Sequence, residues 1–488
     1  MAEFVDLERS IVKLRKSVTT FAVAAMTAAG LVGGVGGSPE AAHANGAAPG
    51  PLVSGPITAG GGIFDLQGDV SQLPVNNYIQ EEFFFEGTAQ AFNSNTPLSA
   101  DGKWSVVPTT AAAYKTRMVV RRPVNRSQFN GTAVVEWYNV TAGFDNGPDW
   151  SFARQELLRR GFIWVGISAQ FVGVEGGAGP LGFGGLKATD PVRYGSLVHP
   201  GDDYSYDIYT QAGMALRNPN GVDPLGGIRA ERLIADGESQ SASRMATYVN
   251  AISPLNNVYN AFFIHSRSAR SSALNTTGNG ATPNPVFIRD DQTEPVIQLE
   301  AETDVPGFAA ARQPDNAHMR VWEVAGTSHV DEYGLGPLAI AFLNCPLPVN
   351  SGPHHYIVHT AIRELYRWIH NPTRDVPHGQ PINLDSANAV VRDQYGNATG
   401  GIRTPQLDVP IATLSGFGQS GGFCGLFGTT VKFTDAQLLA AHHDRGNFLR
   451  TYVAQTRAMR NAGFLLGPDV WSVLGEAAAV PFPEWTAQ

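Results

Sequence analysis

The chain has 488 residues, of which 43% are hydrophobic and 16% charged, and a net charge of −9. This length and balance suit a globular body with a sizeable core and exclude a disordered chain. No basic stripe interrupts the modest negative charge, so nucleic acid is not an expected partner.

The N-terminus reads differently from the rest. Arg9, Lys13, Arg15 and Lys16 flank an uncharged stretch rich in Ala, Val and Gly from Val18 to Gly37. Ala42-His43-Ala44 then offers small residues at the two positions a signal peptidase reads. The pattern predicts an export leader over 1–44, cleaved rather than kept as an anchor. The expectation is a secreted or extracytoplasmic chain with no stable membrane insertion after cleavage. A mobile lead-in is expected over 45–77, then one domain over 78–488 with a helical C-terminal extension. Two cysteines, Cys345 and Cys424, are expected to pair in an exported chain.

In chain order, Tyr78–Phe85 and Tyr114–Val120 read as early strands, and Thr132–Tyr138 as a strand covered on both faces. Trp150–Arg160 has helical spacing, Phe162–Ile167 is a strand, and Asp203–Leu216 a helix. Arg232–Ala235 is a short buried strand with a helix over Ser241–Ile252. Further strands are expected at Val258–Ile264, Pro295–Leu299 and Met319–Val324, and a helix over Tyr356–Ile369. This alternation predicts a mostly parallel twisted sheet with helices on both faces. Phe171–Gly201 and Ser268–Asp291 read as loop insertions bordering a pocket beyond the strand ends. The tail from Arg403 reads as helix-rich and strand-poor.

The sharpest local signal is Gly237-Glu238-Ser239-Gln240-Ser241, between an apolar strand and a helix. A nucleophile at the apex of so tight a turn needs small residues two before and two after it, which Gly237 and Ser241 supply. A serine hydroxyl needs a base to take its proton and an acid to orient that base. His329 follows the strand Met319–Val324, and Asp304 and Glu302 follow Pro295–Leu299. The order Ser, acid, His, each just after a strand, makes Ser239 the candidate nucleophile and His329 the candidate base. Asp304, followed by Val305 and Pro306, is the favoured acid, and Glu302 the alternative. Backbone N–H groups of Gln240 and of the turn at Asn139 and Val140 are candidate oxyanion donors. His442-His443-Asp444 and His354-His355 do not read as metal ligands, and no metal is expected.

These motifs together resemble an α/β-hydrolase domain-containing family of bacterial proteins. The likeness lies in Val134-Val135-Glu136-Trp137 followed by Asn139, in the Gly237–Ser241 elbow, and in Ala301-Glu302-Thr303-Asp304 and Ala325-Gly326-Thr327-Ser328-His329. It extends to the segments Cys345–His355 and Leu414–Cys424, and covers roughly Tyr78 to Gly467. The resemblance implies the α/β-hydrolase fold and an esterase-like hydrolase without a cofactor. Carboxylic esters, small or polymeric, are the expected substrates. Peptidase, amidase or lactonase activity with the same residues is the alternative, and a non-catalytic binding protein a more distant one. Oligomeric state is not legible.

Overall fold

The computed structural model describes residues 50–65, 69–177 and 184–483. The expected leader over 1–44 lies outside them. Among the described residues, no helix is long and apolar enough to cross a membrane.

The apolar runs of the sequence gather into one ten-stranded sheet. Its strands are β1 (Leu52–Ser54), β2 (Tyr78–Ser94), β3 (Val106–Pro123), β4 (Thr132–Trp137), β5 (Ile163–Ile167), β6 (Asn220–Gly221), β7 (Arg232–Glu238), β8 (Ala261–His265), β9 (Val296–Ala301) and β10 (Met319–Val324). Their spatial order is β10-β9-β8-β7-β4-β5-β3-β2-β1-β6. From β5 through β4 to β10 every pairing is parallel, whereas β3 joins β5, and β2 joins β3, antiparallel. Every residue of β4, β5, β8 and β9 is buried, as parallel strands covered on both faces require.

One face is covered by the helices Ser205–Arg217 and Gln240–Thr247, which contribute Tyr206, Tyr209 and Met245 to the core. The other is covered by Pro148–Arg160 and His354–His370, with Trp150, Phe152, Ile357, Leu365 and Trp368. The helix Pro148–Arg160 begins on a proline at its first turn and ends at Gly161, whose φ of 74° caps the last carbonyls. At its start the buried Glu136 carboxylate accepts from the Asp149 and Trp150 amides, and so from groups that have no partner within the helix. The expected mostly parallel sheet with helices on both faces is therefore what the chain builds.

Several elements differ from expectation. The early strands are much longer than their apolar cores, because β2 and β3 pair on along a hairpin whose far half buries Ala89, Phe92 and Val106 on one side and leaves Val107 to Ala111 exposed. Part of the expected lead-in is built into the sheet, since Leu52–Ser54 pairs with Phe84–Glu86. The insertion Phe171–Gly201 contains the short helices Phe171–Glu175, Leu186–Thr189 and Pro191–Tyr194. The tail is not strand-poor throughout: β11 (Ala412–Ser415) and β12 (Thr429–Lys432) form an antiparallel pair.

Cys345 and Cys424 form a disulfide with Cα atoms 5.7 Å apart. It ties the end of the helix Glu332–Leu343 to the turn Gly422–Leu426 inside the β11–β12 connection. The bridge closes a loop of 79 residues, which loop entropy converts to roughly 3–5 kcal/mol of stability. Replacing both cysteines with serine should lower the stability read by urea unfolding by that amount, and an unchanged midpoint would show that the bridge contributes nothing.

Candidate functional site

The strand β7 carries Leu233, Ile234 and Ala235 into the core and stops at Glu238. The next residue, Ser239, has φ 60° and ψ −114°, a region that side-chain-bearing residues avoid, and the helix Gln240–Thr247 starts at once. The Ser239 N–H donates to the His265 carbonyl at 2.8 Å, which pins the turn to the neighbouring strand end. A Cβ on Gly237 would come within 2.9 Å of the Ser241 carbonyl oxygen and 3.1 Å of the Ser241 side chain. The turn therefore tolerates Ser at its second small position only while the first remains glycine.

Three side chains meet above this turn. His329 Nε2 lies 2.8 Å from Ser239 Oγ, and His329 Nδ1 lies 2.7 Å from Asp304 Oδ1. His329 sits on the loop after β10, and its backbone N–H donates to Thr303 Oγ1 at 3.2 Å. Asp304 leads into the short helix Val305–Phe308 after β9. Burial opposes charge on Asp304, but the facing imidazole and its hydrogen bond hold the carboxyl below its ordinary value. On His329 burial acts downward and is outweighed by Asp304 and Glu238, which lift it to about 9.

Glu302, the alternative acid, is fully buried elsewhere. Its Oε2 accepts from the Gly326 amide at 2.7 Å, and its Oε1 from Arg392 Nη2 at 2.7 Å and the Gly416 amide at 3.1 Å. Both oxygens are thus committed, and the carboxylate braces the histidine loop against the tail.

Of the candidate oxyanion donors, Gln240 is the first residue of its helix, so its N–H has no acceptor within that helix. Its side chain is held by a reciprocal amide pair with the buried Gln170. The Asn139 N–H instead donates to the Asn146 carbonyl at 2.8 Å, so Asn139 does not supply a free backbone donor. Its side-chain amide reaches back to the Glu238 carbonyl at 3.1 Å and carboxylate at 3.3 Å. Val140 is in the same turn but is not among the residues lining the cavity beside Ser239.

Two features carried no role in the sequence. In the sequence Glu238 is only a motif position, yet its Oε1 lies 3.1 Å from His329 Nε2. Burial pushes the Glu238 carboxyl up to about 8, against the pull of His329. The second is a buried row beside the site. Asp149 Oδ1 lies 2.6 Å from His265 Nδ1, and His265 Nε2 lies 3.1 Å from His354 Nε2. Burial holds His265 down to about 3 and His354 well below its ordinary value, so both rings are neutral. The signal in hindsight is a histidine at the C-terminal end of a wholly apolar strand. His442 lies against the Pro410 carbonyl and Asp444 caps a helix, so this histidine pair serves local structure.

A cavity of about 340 Å³ opens beside Ser239. It is lined by the turn after β4, by the helix Glu332–Leu343 and by the residues Phe423, Leu426 and Phe427. Among the described residues of Phe171–Gly201 and Ser268–Asp291, none lines this cavity, and 178–183 lie outside the described residues.

The family model described as alpha/beta hydrolase domain matches residues 53–474. No curated protein matches the chain. Solved structures with a similar course include an esterase from Rhizomucor miehei, at 12% identity and a TM-score of 0.30, covering 62% of this chain and 89% of that one. A rice cell wall degrading esterase, LipA from Xanthomonas oryzae, is 11% identical with a TM-score of 0.24, covering 41% of this chain and 46% of that one. Likenesses at these scores carry no argument about activity.

The carboxylate of Glu238 favours the charged imidazolium, so removing it should make His329 easier to deprotonate. In Glu238→Gln, His329 should titrate at lower pH than in the wild type, followed by histidine NMR. An unchanged or higher value would show that Glu238 does not act on the ring.

Proposed function

Since the chain belongs to this alpha/beta hydrolase family, we propose that it is a serine hydrolase acting on carboxylic esters. The observation that carries the reading is the hydrogen-bonded row Ser239, His329, Asp304, with the serine held at positive φ at the end of β7. Ser239 Oγ attacks the ester carbonyl as His329 Nε2 takes its proton. Asp304 holds the imidazole with Nδ1 protonated and stabilises the imidazolium, without accepting the proton itself. The Gln240 N–H faces the developing oxyanion, with Val140 the remaining candidate for the second donor. His329 then gives its proton to the departing alcohol, leaving an acyl-serine. Water activated by the same ring hydrolyses the acyl-enzyme and frees Ser239.

We also propose that the enzyme works in an oxidising, extracytoplasmic compartment, where the bridge between Cys345 and Cys424 is stable.

Ser239 should react with a fluorophosphonate probe, and Ser239→Ala should lose labelling and p-nitrophenyl ester turnover by ~10³-fold or more. Full labelling of that variant would place the nucleophile elsewhere. A matched anilide, turned over as fast as the ester, would favour an amidase.

The two carboxylates separate in a second comparison. Asp304→Asn should lower kcat by ~10²–10⁴-fold with an unchanged melting temperature. Glu302→Gln should instead lower the melting temperature, because it unpairs Arg392, and change kcat much less. The opposite pattern would make Glu302 the acid.

A further inference from the structure

The lining of the cavity beside Ser239 speaks to the substrate as well as the reaction. Among the described residues, Glu238 and His329 are the only charged or chargeable groups in the lining, which includes no lysine or arginine. An anionic chain would find no cation there and would face the Glu238 carboxyl. The rest of the lining is mainly apolar, with Phe144, Leu335, Ala339, Leu343, Phe423 and Phe427, while the turn after β4 adds the uncharged polar residues Asn139, Thr141 and Asn146.

These far walls lie outside the strand ends that carry the reacting residues. The segment Glu332–Leu343 breaks at Gly336, whose φ is 71°, and on the helical part after that kink Ala339 and Leu343, four residues apart, form one stripe, with Leu335 lining the cavity from before the kink. Phe423 stands in the turn Gly422–Leu426, next to the cysteine bonded to Cys345. Helix stripe and turn are thus joined covalently just beyond the cavity.

Resting on the ester-hydrolase reading, we propose that the substrate is an uncharged ester carrying one apolar chain, which lies between the helix stripe and the Phe423 turn. A space of 340 Å³ holds on the order of ten water-sized groups, room for an ester and a chain of about six to eight carbons. Each methylene transferred from water to such walls should raise kcat/KM by about three- to fourfold until the space is filled. The acyl side and the alcohol side of the ester are two sources of such a chain, and they are separable by experiment.

The test uses the full-length oxidised enzyme and two series. One is p-nitrophenyl esters from acetate to dodecanoate, and the other is acetate esters of alcohols from methanol to dodecanol. A rise in kcat/KM of at least tenfold from the shortest member to a maximum near six to eight carbons supports the proposal, and the series that shows it identifies the side. Values that are flat or fall from the shortest member in both series overturn it, while turnover of the acetates leaves the ester-hydrolase reading intact. No turnover in either series, with no fluorophosphonate labelling of Ser239, overturns that reading and the proposal with it.

Ala339→Trp places a ring on this stripe, in the cavity lining. The ratio of kcat/KM for the octanoate to that for the acetate should fall at least tenfold, with folding checked by circular dichroism. If Ala339→Trp does not fold, Leu343→Ala should move the maximum to a longer chain. A folded variant of either kind with the wild-type profile overturns the assignment of the chain to this space.

Discussion

A serine held at φ 60° and ψ −114° is in a conformation that costs on the order of 1–3 kcal/mol, and the surrounding structure must hold it there. The hydrogen bond from its N–H to the His265 carbonyl does so from one side. The helix that begins at Gln240 does so from the other, and the bare Cα of Gly237 lets the chain fold back on Ser241. Relaxing this turn would swing Ser239 Oγ away from His329 and turn the Gln240 N–H out of the site. The positions of β7, β8 and the helix between them all serve this one backbone geometry.

Around the turn the interior holds many carboxyl groups in unlike states. Burial and neighbouring carboxylates raise Glu136, Asp236 and Glu300 well above their ordinary values, and burial lifts Asp149 to about 8. These groups keep their protons more readily and so avoid the cost of an unpaired buried charge. Asp304 is pulled the other way because an imidazole faces it. Two carboxyls touch the same ring from opposite nitrogens, Asp304 at Nδ1 and Glu238 at Nε2. Such a divergence in proton affinity between neighbouring acids is how one site assigns them different parts.

The local features were legible in the sequence because their causes are local. A wholly apolar strand ending in Gly237 announces the turn, and Asp304 and His329 each follow an apolar strand within a few residues. The family and fold followed from such segments and their order. Asp304 and Glu302 could not be separated by spacing, since they stand two residues apart and differ in what approaches them. Glu302 is claimed by Arg392 and the amides of Gly326 and Gly416, all distant in sequence. The Asn139 amide was likewise lost to a pairing with Asn146 that only the folded turn reveals. The described cavity walls were hidden for the same reason, since they come from the turn after β4, a helix and a tail turn whose approach no periodicity encodes.

The brace between the histidine loop and the tail also orders events in time. A ribosome releases Ser239, Asp304 and His329 long before Gly416, which accepts from Thr303 and donates to Glu302. Asn350, which donates to the carbonyls of Gly326, Ser415 and Thr429, likewise waits for strands more than sixty residues downstream. The reacting groups therefore exist on the nascent chain without the struts that align them. A polypeptide interrupted between His329 and about residue 430 would carry Ser239, Asp304 and His329 without these struts.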